Sequence, residues 1–146
     1  MPGLGPSQSP ARPMNLPPDC EFHDDIRLFI HRPRGSLDER ILDRLVLTLG
    51  DLEAVIKEPF NRFADTLGAD AVELNFRYIL HISLYRRLTY AGRAPVKSAL
   101  LTTDATIIQY ARLHKLMTDG SPIEFRIFED RQEAGEWLGV PLERLQ

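Results

Sequence analysis

Six polar residues at the ends of expected strands have the chemistry of a ligand site. Asp65 and Thr66 close one apolar run, and Thr102 and Asp104 follow another. In open parallel sheets, ligands bind outside the carboxyl ends of neighbouring strands, where hydroxyls and helix N-terminal amides can hold a small polar or anionic molecule. The candidate ligand-binding residues are Asp65, Thr66, Asn75, Thr102, Thr103 and Asp104. The alternative is that the same residues only cap helices and end strands.

Catalytic and metal-binding arrangements are not evident in the sequence. Asp65 and Asp104 could act as a carboxylate pair in acid–base chemistry, but aspartate is also routine at strand ends and helix starts. The four histidines, at positions 23, 31, 81 and 114, fall on separate elements without HxH or HExxH spacing. Cys20 is the single cysteine, which excludes an internal disulfide and argues against a thiolate zinc site. We therefore predict no catalytic residue, no metal and no cofactor.

Length and composition fit one globular domain without affinity for nucleic acid. The chain has 146 residues, of which 43% are hydrophobic and 27% charged, and its net charge is −3. A negative overall charge gives no attraction to nucleic acid, and a small basic set is typical of a solvated helix end: Arg86, Arg87, Arg93 and Lys97. No apolar run is long enough to span a membrane. A cytoplasmic location is therefore expected.

Residues 1–18 differ sharply in composition from the rest of the chain. They hold six of the eleven prolines and show almost no apolar periodicity. Such a segment cannot bury enough surface to offset its ordering entropy, so we predict a disordered tail over 1–18 and a folded domain over 19–146. A proline-rich docking peptide and a native start at Met14 are alternatives that the composition leaves open.

The first half of the domain predicts a β-hairpin, a helix and a strand. CEF at 20–22 and IRLFIH at 26–31 are β-rich runs around a turn-prone HDD. Ser36 with Glu39 forms a capping-box pattern at a helix start. An apolar stripe at helical spacing follows, formed by Ile41, Leu45, Leu49, Leu52 and Ile56. NRFADTL at 61–67 predicts a short buried strand.

The next segment predicts two helices with a strand between them. Asn75 is expected to cap a helix over residues 76–91. The inner face of that helix is expected to carry Phe76, Leu80, Leu84 and Leu88. VKSALL at 96–101 is a continuous apolar run that indicates a buried strand, and a third helix is expected after Asp104.

The last elements are a strand and a short helix. In IEFRIF, at 123–128, apolar and charged residues alternate as in a strand with unequal faces. Asp130 with Glu133 forms a second capping box, and Trp137 is expected on the inner face of the helix that follows. The resulting order, β-β-α-β-α-β-α-β-α, predicts a single α/β domain with a mixed, mostly parallel sheet.

Three motifs stand in succession in the closing part of the chain. Ala111-Arg112-Leu113 lies on the third helix, SPIEFRIF spans 121–128, and Glu133-Ala134 with Trp137-Leu138 lie on the last helix. Together with RPRGSLDERIL and NRFADTL in the front half, they resemble the SpoIIAA-like branch of the STAS-type proteins, an uncharacterised bacterial group. The similarity covers roughly residues 20–141. It implies a STAS-like fold, because these motifs are mainly apolar patterns that specify architecture more than activity.

The resemblance also implies a phosphoswitch, for which this sequence lacks the residues. Bacterial anti-anti-sigma factors carry a Ser or Thr in an Asp-Ser-Ser-Gly-like motif, at the start of the helix that follows a central strand. Leu74-Asn75-Phe76 stands at that helix start here. Asparagine cannot accept a phosphate from a serine kinase, so Asn75 is predicted to be a helix cap rather than a switch.

Two functions from different classes follow for a domain of this kind. The first is a non-enzymatic binding or regulatory module that acts by protein–protein contact without the serine phosphoswitch, on an unknown partner or as a homodimer. The alternative is a carrier or sensor of a small ligand held between the sheet and the helices. Such a ligand could be apolar. An enzyme ranks third. Exposed apolar surface would favour binding, whereas convergent titratable groups with perturbed pKa would favour an enzyme.

Overall fold

Five strands form the main sheet of the protein, of which a computed structural model describes residues 15–146. Their order is β1-β2-β4-β6-β7. Their bounds are Cys20–His23 (β1), Leu28–His31 (β2), Asn61–Asp65 (β4), Val96–Leu101 (β6) and Ile123–Phe128 (β7). β1 pairs antiparallel with β2, and the other neighbours pair in parallel. The expected α/β class with a mixed, mostly parallel sheet is confirmed.

A second sheet of two short parallel strands lies outside the predicted order. It pairs β3 (Gly35–Asp38) with β5 (Ala69–Glu73). The predicted helix start at Ser36 is therefore wrong. Asp38 caps the helix instead, because its carboxylate accepts a hydrogen bond of 3.0 Å from the backbone N–H of Ile41. Neither short segment has a clear apolar alternation, and each is extended because it pairs with the other.

Four helices complete the domain. They are α1 (Glu39–Val55), α2 (Phe76–Thr89), α3 (Ala105–Thr118) and α4 (Arg131–Leu138). The caps expected from the sequence are confirmed at three of them, where Asn75, Asp104 and Asp130 accept hydrogen bonds from first-turn amides. Among residues 15–146, no helix is both long and apolar enough to cross a membrane.

One face of the sheet packs tightly against α4. The buried core there comprises Leu28, Ile30, Phe63, Ala99, Leu101, Phe128, Ala134, Leu138 and Leu145. Trp137 closes this core from its edge and is only half-buried, with its ring centroid 5.6 Å from that of Phe128. This face is filled by apolar side chains, although α4 is only eight residues long.

The opposite face is covered by α1, α2 and α3. Phe29 of the sheet packs there beside Leu49 and Leu52 of α1. The inner side of α2 is formed by Ile79, Ser83 and Arg86. The expected inner face is therefore wrong, since Phe76, Leu80, Leu84 and Leu88 are exposed. An apolar repeat of four residues identifies a stripe but not the side that faces the sheet, and two polar residues are buried because each finds a partner.

The predicted N-terminal tail is described only in part. Residues 1–14 lie outside the described residues. Leu16 packs beside the Phe29 cluster, and the carbonyl of Pro17 accepts a hydrogen bond of 3.0 Å from the N–H of Cys20. Contacts with the domain therefore begin before residue 19.

Candidate functional site

The strand ends that suggested a ligand site do meet at one edge of the sheet. β4 and β6 are parallel neighbours, with Asp65 opposite Leu101. Thr66 is buried and its hydroxyl donates a hydrogen bond of 2.8 Å to the carbonyl of Leu101. The hydroxyl of Thr102, also buried, accepts one of 3.1 Å from the N–H of Asp104. Both hydroxyls are thus engaged by the backbone of the strand ends.

Asp65 is the anchor of an ion cluster. One oxygen of its buried carboxylate accepts hydrogen bonds from Arg32, at 3.0 Å, and Arg131, at 2.7 Å. The other accepts the backbone N–H of Leu67 at 3.1 Å. A cavity of about 380 Å³ opens beside this cluster and is lined by Asp65 together with arginines 32, 34 and 131. Of the six predicted ligand residues, Asp65 is the one on this wall.

The remaining three predicted ligand residues lie at helix starts. Asp104 accepts hydrogen bonds of 2.8 and 3.0 Å from two backbone amides of α3, and Thr103 beside it is exposed. Asn75 accepts the N–H of Tyr78 at 2.8 Å and donates to Glu39 at 3.3 Å. Within residues 15–146, no hydrogen bond links Asn75 to the other five. The prediction that Asn75 is a cap is confirmed.

The exposed side of α2 carries an apolar ridge, which we define as Phe76, Leu80, Leu84 and Leu88. Successive members are four residues apart, so they follow one strip of the helix surface. Their exposed fractions are 53%, 41%, 39% and 74%. Phe76 makes an edge contact with the ring of Tyr110, at a centroid distance of 4.9 Å. The three leucines that follow it on the ridge are exposed to solvent.

An apolar cavity of about 180 Å³ lies between the sheet and helices α1, α2 and α3. Most of its wall is aliphatic, and the polar groups that reach it belong to Arg86, Tyr110 and His114. Dry apolar cavities of roughly 150 Å³ can hold a molecule such as benzene. The space between sheet and helices is thus large enough for a small apolar molecule.

A serine–histidine pair lies beside this cavity. Ser83 of α2 and Nδ1 of His114 on α3 are 2.7 Å apart. Burial and the nearby Arg86 lower the pKa of His114 to about 4, so the ring is neutral near pH 7. Ser83 has no exposed surface and lies in mid-helix, where its backbone N–H is used by the helix. The hydrogen bond of this pair therefore joins α2 to α3.

The basic set of the sequence does not form one solvated helix end. Arg86 is buried and donates to Glu53 at 2.9 Å, whereas Arg87 donates to the carbonyl of Met117 at 3.2 Å. Lys97 lies on the α4 face, where it donates to the carbonyl of Trp137 at 2.8 Å. The interpretation as a solvated patch is wrong because sheet topology distributes these residues over two faces.

Asp19, Cys20 and His31 converge near the start of the sheet, with ligand atoms within 4.8 Å of one another. Burial and then Asp19 raise the pKa of the Cys20 thiol to about 12, so it is protonated at neutral pH. The carboxylate of Asp19 already pairs with His31 at 3.0 Å and with Arg44 at 3.0 Å. A protonated thiol beside an arginine is a poor cation site, and the cluster is explained by its internal pairing.

Comparison with known proteins shows a likeness of fold. The crystal structure of an uncharacterised protein of the DUF3478 family with a SpoIIAA-like fold, from Shewanella loihica PV-4, matches with a TM-score of 0.53 and 21% identity. The match covers 82% of this chain and 90% of that chain. No family model matches the sequence, and no curated protein matches it. The protein thus has a SpoIIAA-like fold, which confirms the resemblance seen in the sequence at the level of architecture.

Proposed function

We propose that this protein is a non-enzymatic binding module that acts through protein–protein contact, with the apolar ridge of α2 as its contact surface. The observation that supports the proposal is the ridge itself, whose last member, Leu88, is 74% exposed. Contiguous exposed apolar side chains are uncommon on proteins that stay monomeric, and they mark interaction sites. A helix with apolar side chains on both sides also fits a role between the sheet and a partner.

The charges around the ridge favour an acidic partner. The sequence of α2, FRYILHISLYRRLT, contains no acidic residue, and of its three arginines Arg86 pairs with the buried Glu53 and Arg87 donates to the carbonyl of Met117. Arg77 is exposed among the ridge residues. A second copy placed ridge against ridge would bring arginine towards arginine, whereas an amphipathic helix with acidic side chains beside its leucines would complement both shape and charge. We therefore infer an acidic amphipathic helix as the occupant.

The start of α2 supports contact without a phosphoswitch. Asn75 caps the helix directly before Phe76, so no serine or threonine hydroxyl is present at the amide groups where a phosphate would be held. The serine of α2 that lies nearest to this helix start, Ser83, is fully buried. Control of this surface by serine phosphorylation would therefore need a site elsewhere in the chain.

Site-specific photo-crosslinking tests the proposal. A photo-reactive phenylalanine analogue at Leu84 should crosslink to a protein partner in the native cell, and the same analogue at Glu136, which is exposed on α4, should not. The crosslinked protein is identified by mass spectrometry, and its contacting segment is synthesised as a peptide. Binding of that peptide should be lost in a Leu84→Asp, Leu88→Asp variant.

Four outcomes would contradict this account. Equal crosslinking at Leu84 and Glu136 would show a nonspecific surface, and crosslinks to a second copy alone would show a homodimer. A basic or uncharged contacting segment would remove the charge argument. The double variant should keep the wild-type melting temperature, because both leucines are exposed. A large loss of stability would show that the ridge supports the fold instead.

The alternative function, a carrier or sensor of a small apolar ligand, is favoured by a different observation. The 180 Å³ cavity between the sheet and the helices has an almost wholly apolar wall. Native mass spectrometry of the purified protein should then reveal a retained small molecule. Ala111 lines the cavity and is buried, so the larger side chain in Ala111→Leu should fill part of the cavity. The fraction of protein that retains the small molecule should then fall. The Leu84→Asp, Leu88→Asp variant should still retain the small molecule, and this result would separate the two functions.

A further inference from the structure

A cluster of three arginines surrounds one buried glutamate at the end of α1, which we call the arginine pocket. Oε2 of Glu53 accepts hydrogen bonds of 2.6 Å from Arg62 on β4 and 2.9 Å from Arg86 on α2. Nη1 of Arg93 lies 3.9 Å from the other oxygen, Oε1. The side chains of Glu53, Arg62 and Arg86 are each 7% exposed. Three separate elements thus bring their charges to one point.

The positive charge of this cluster is not balanced within it. Three guanidinium groups face one carboxylate, and those of Arg62 and Arg86 are buried, where an unbalanced charge is costly. Burial lowers the pKa of Arg62. The negative charge of Glu53 opposes this shift, and the positive charge of Arg86 adds to it. Glu58, the other carboxylate on the pocket wall, lies 3.2 Å from Arg27 and is paired there. An anion from solvent would complete the charge balance.

The cluster lies on the wall of a cavity of about 300 Å³. Arg62, Arg93 and Lys57 line this cavity. Arg86 does not line it but donates a hydrogen bond to Glu53, which does. Nε of Arg62 is used by the carbonyl of Phe60 and one Nη2 proton by Glu53. Among residues 15–146, no hydrogen bond engages Nη1 of Arg62, so this end of its guanidinium has donors to offer. Arg93 is 43% exposed and can move towards a bound group.

Aromatic rings hold these cations in place. The guanidinium carbons of Arg62, Arg86 and Arg93 lie 5.2, 5.8 and 5.6 Å from the ring centre of Tyr90. Arg62 also lies 4.8 Å from the ring centre of Phe60. The hydroxyl of Tyr90 donates to the carbonyl of Ala94 at 2.9 Å, which fixes the ring. Guanidinium groups fixed by rings are pre-organised for a carboxylate or phosphate.

From this geometry we propose that the arginine pocket binds the carboxylate or phosphate of a small organic anion. The charged group would accept hydrogen bonds from Arg62 and Arg93, since planar guanidinium forks match such oxyanions. Phe60, Ile56 and Pro59 on the same wall would contact the organic part of the molecule. This site is separate from the ridge of α2, and it does not depend on the function proposed above.

Nuclear magnetic resonance titration tests the site with three probes. Inorganic phosphate and benzoate should shift the backbone amide signals of residues 57–62 and 90–94, whereas neutral benzamide should not. Sodium chloride at matched ionic strength serves as the control for screening. A stronger shift with benzoate would identify a carboxylate with an attached ring as the preferred class, and a stronger shift with phosphate would identify a phosphate group.

Two variants should change affinity in opposite directions. Arg93→Ala removes one donor from the pocket wall and should weaken binding about tenfold, the worth of one hydrogen bond to a charged group. Glu53→Gln removes the competing carboxylate and should strengthen binding. Arg40→Ala is the matched control, because Arg40 is exposed on the same helix as Glu53 and should leave the affinity unchanged.

Three results would overturn the proposal. They are the absence of any shift with either anion, equal binding of benzoate and benzamide, and equal affinities in wild type and Arg93→Ala. If Glu53→Gln does not fold, the Arg93→Ala comparison decides alone, since Arg93 is partly exposed. Loss of partner binding by the ridge variant, with anion binding retained, would show that the two sites are independent.

Discussion

The two faces of the main sheet differ in how their interiors are filled. The α4 face holds a continuous core in which Leu28, Ile30, Phe63, Leu101 and Leu145 have no exposed surface. The face covered by α1, α2 and α3 contains a cavity of about 180 Å³, a serine–histidine pair and a buried cluster of charges. One short helix thus completes a tight core, whereas three long helices enclose unfilled space.

The difference favours the three-helix side for the binding functions proposed above. Protein interiors usually pack without voids, because each void loses contacts and costs stability. A face that retains a cavity and an unbalanced set of buried charges is therefore less stable than it could be. Binding of a ligand would offset such a cost, which agrees with the surfaces proposed above for a partner and for an anion. The α4 side also has an arginine-lined cavity, of about 380 Å³, but it opens at the strand ends beside Asp65 and Arg131 and not within the apolar core.

The largest expected loss of stability is that of Phe63→Ala on the α4 face, and Phe125→Ala on the opposite face is its comparison. Phe63→Ala should cost about 3–5 kcal/mol of unfolding free energy, because its side chain is completely enclosed. Phe125→Ala should cost about 2 kcal/mol or less, because Phe125 is only half-buried and borders an existing cavity. Chemical denaturation measures both values. Equal losses would show that the two faces are packed alike.

Removal of the buried carboxylate should have the next largest effect. Glu53→Gln leaves Arg62 and Arg86 buried without a counter-charge, and we expect a loss of about 3 kcal/mol. Asp51→Asn, an exposed change on the same helix, should cost less than about 0.5 kcal/mol. Chemical denaturation in low-salt buffer compares the two variants. A small loss in Glu53→Gln would mean that the arginines are hydrated in the native protein.

Acid should weaken the three-helix face through His114. Its pKa in the folded protein is about 4, below the usual 6.5, because of burial and then Arg86. The unfolded chain therefore binds the proton first as the pH falls below 6.5, so this stability is present above pH 6.5 and is lost towards about pH 4. His114 as a residue is only half-buried, so nearby water should moderate the effect to about 2 kcal/mol.

Two variants isolate this titration in denaturation curves measured from pH 7 to pH 4. His114→Gln should flatten the pH dependence, and His81→Gln, at an exposed position of α2, should leave it as in wild type. His31 retains a slope of the same sign, because burial also lowers its pKa, with partial opposition from Asp19. Identical curves for wild type and His114→Gln would contradict the assignment.

The smallest effect is expected at the cap of α2. Asn75→Ala should cost about 1 kcal/mol, because the N–H of Tyr78 loses its acceptor. Asn75→Asp keeps that acceptor but places a negative charge against Glu39, which now accepts from Asn75 at 3.3 Å. We expect these two effects to leave stability within about 0.5 kcal/mol of wild type. If Asn75→Asp abolished crosslinking from Leu84 without changing stability, a charge-controlled switch would be present at this helix start.

The sequence alone determined the main sheet and the alternation of its strands with helices, but not the second sheet of β3 and β5. The five strands of the main sheet follow from continuous or alternating apolar runs, and three helix starts follow from Asn75, Asp104 and Asp130. These signals are local, since strand periodicity and a cap depend on neighbours within a few residues. The same local signals supported the SpoIIAA-like resemblance, and that likeness of fold was found.

The tertiary structure decided which side chains are buried and which residues meet. Phe76, Leu80, Leu84 and Leu88 form a stripe in the sequence, but contacts with the sheet and with α3 turned that stripe outwards. Arg62 is nine residues and Arg86 is 33 residues from Glu53 along the chain, and the three meet because β4, α2 and α1 converge. Burial of a charge depends on a partner supplied by another element, and such a partner leaves no periodic signal in the sequence.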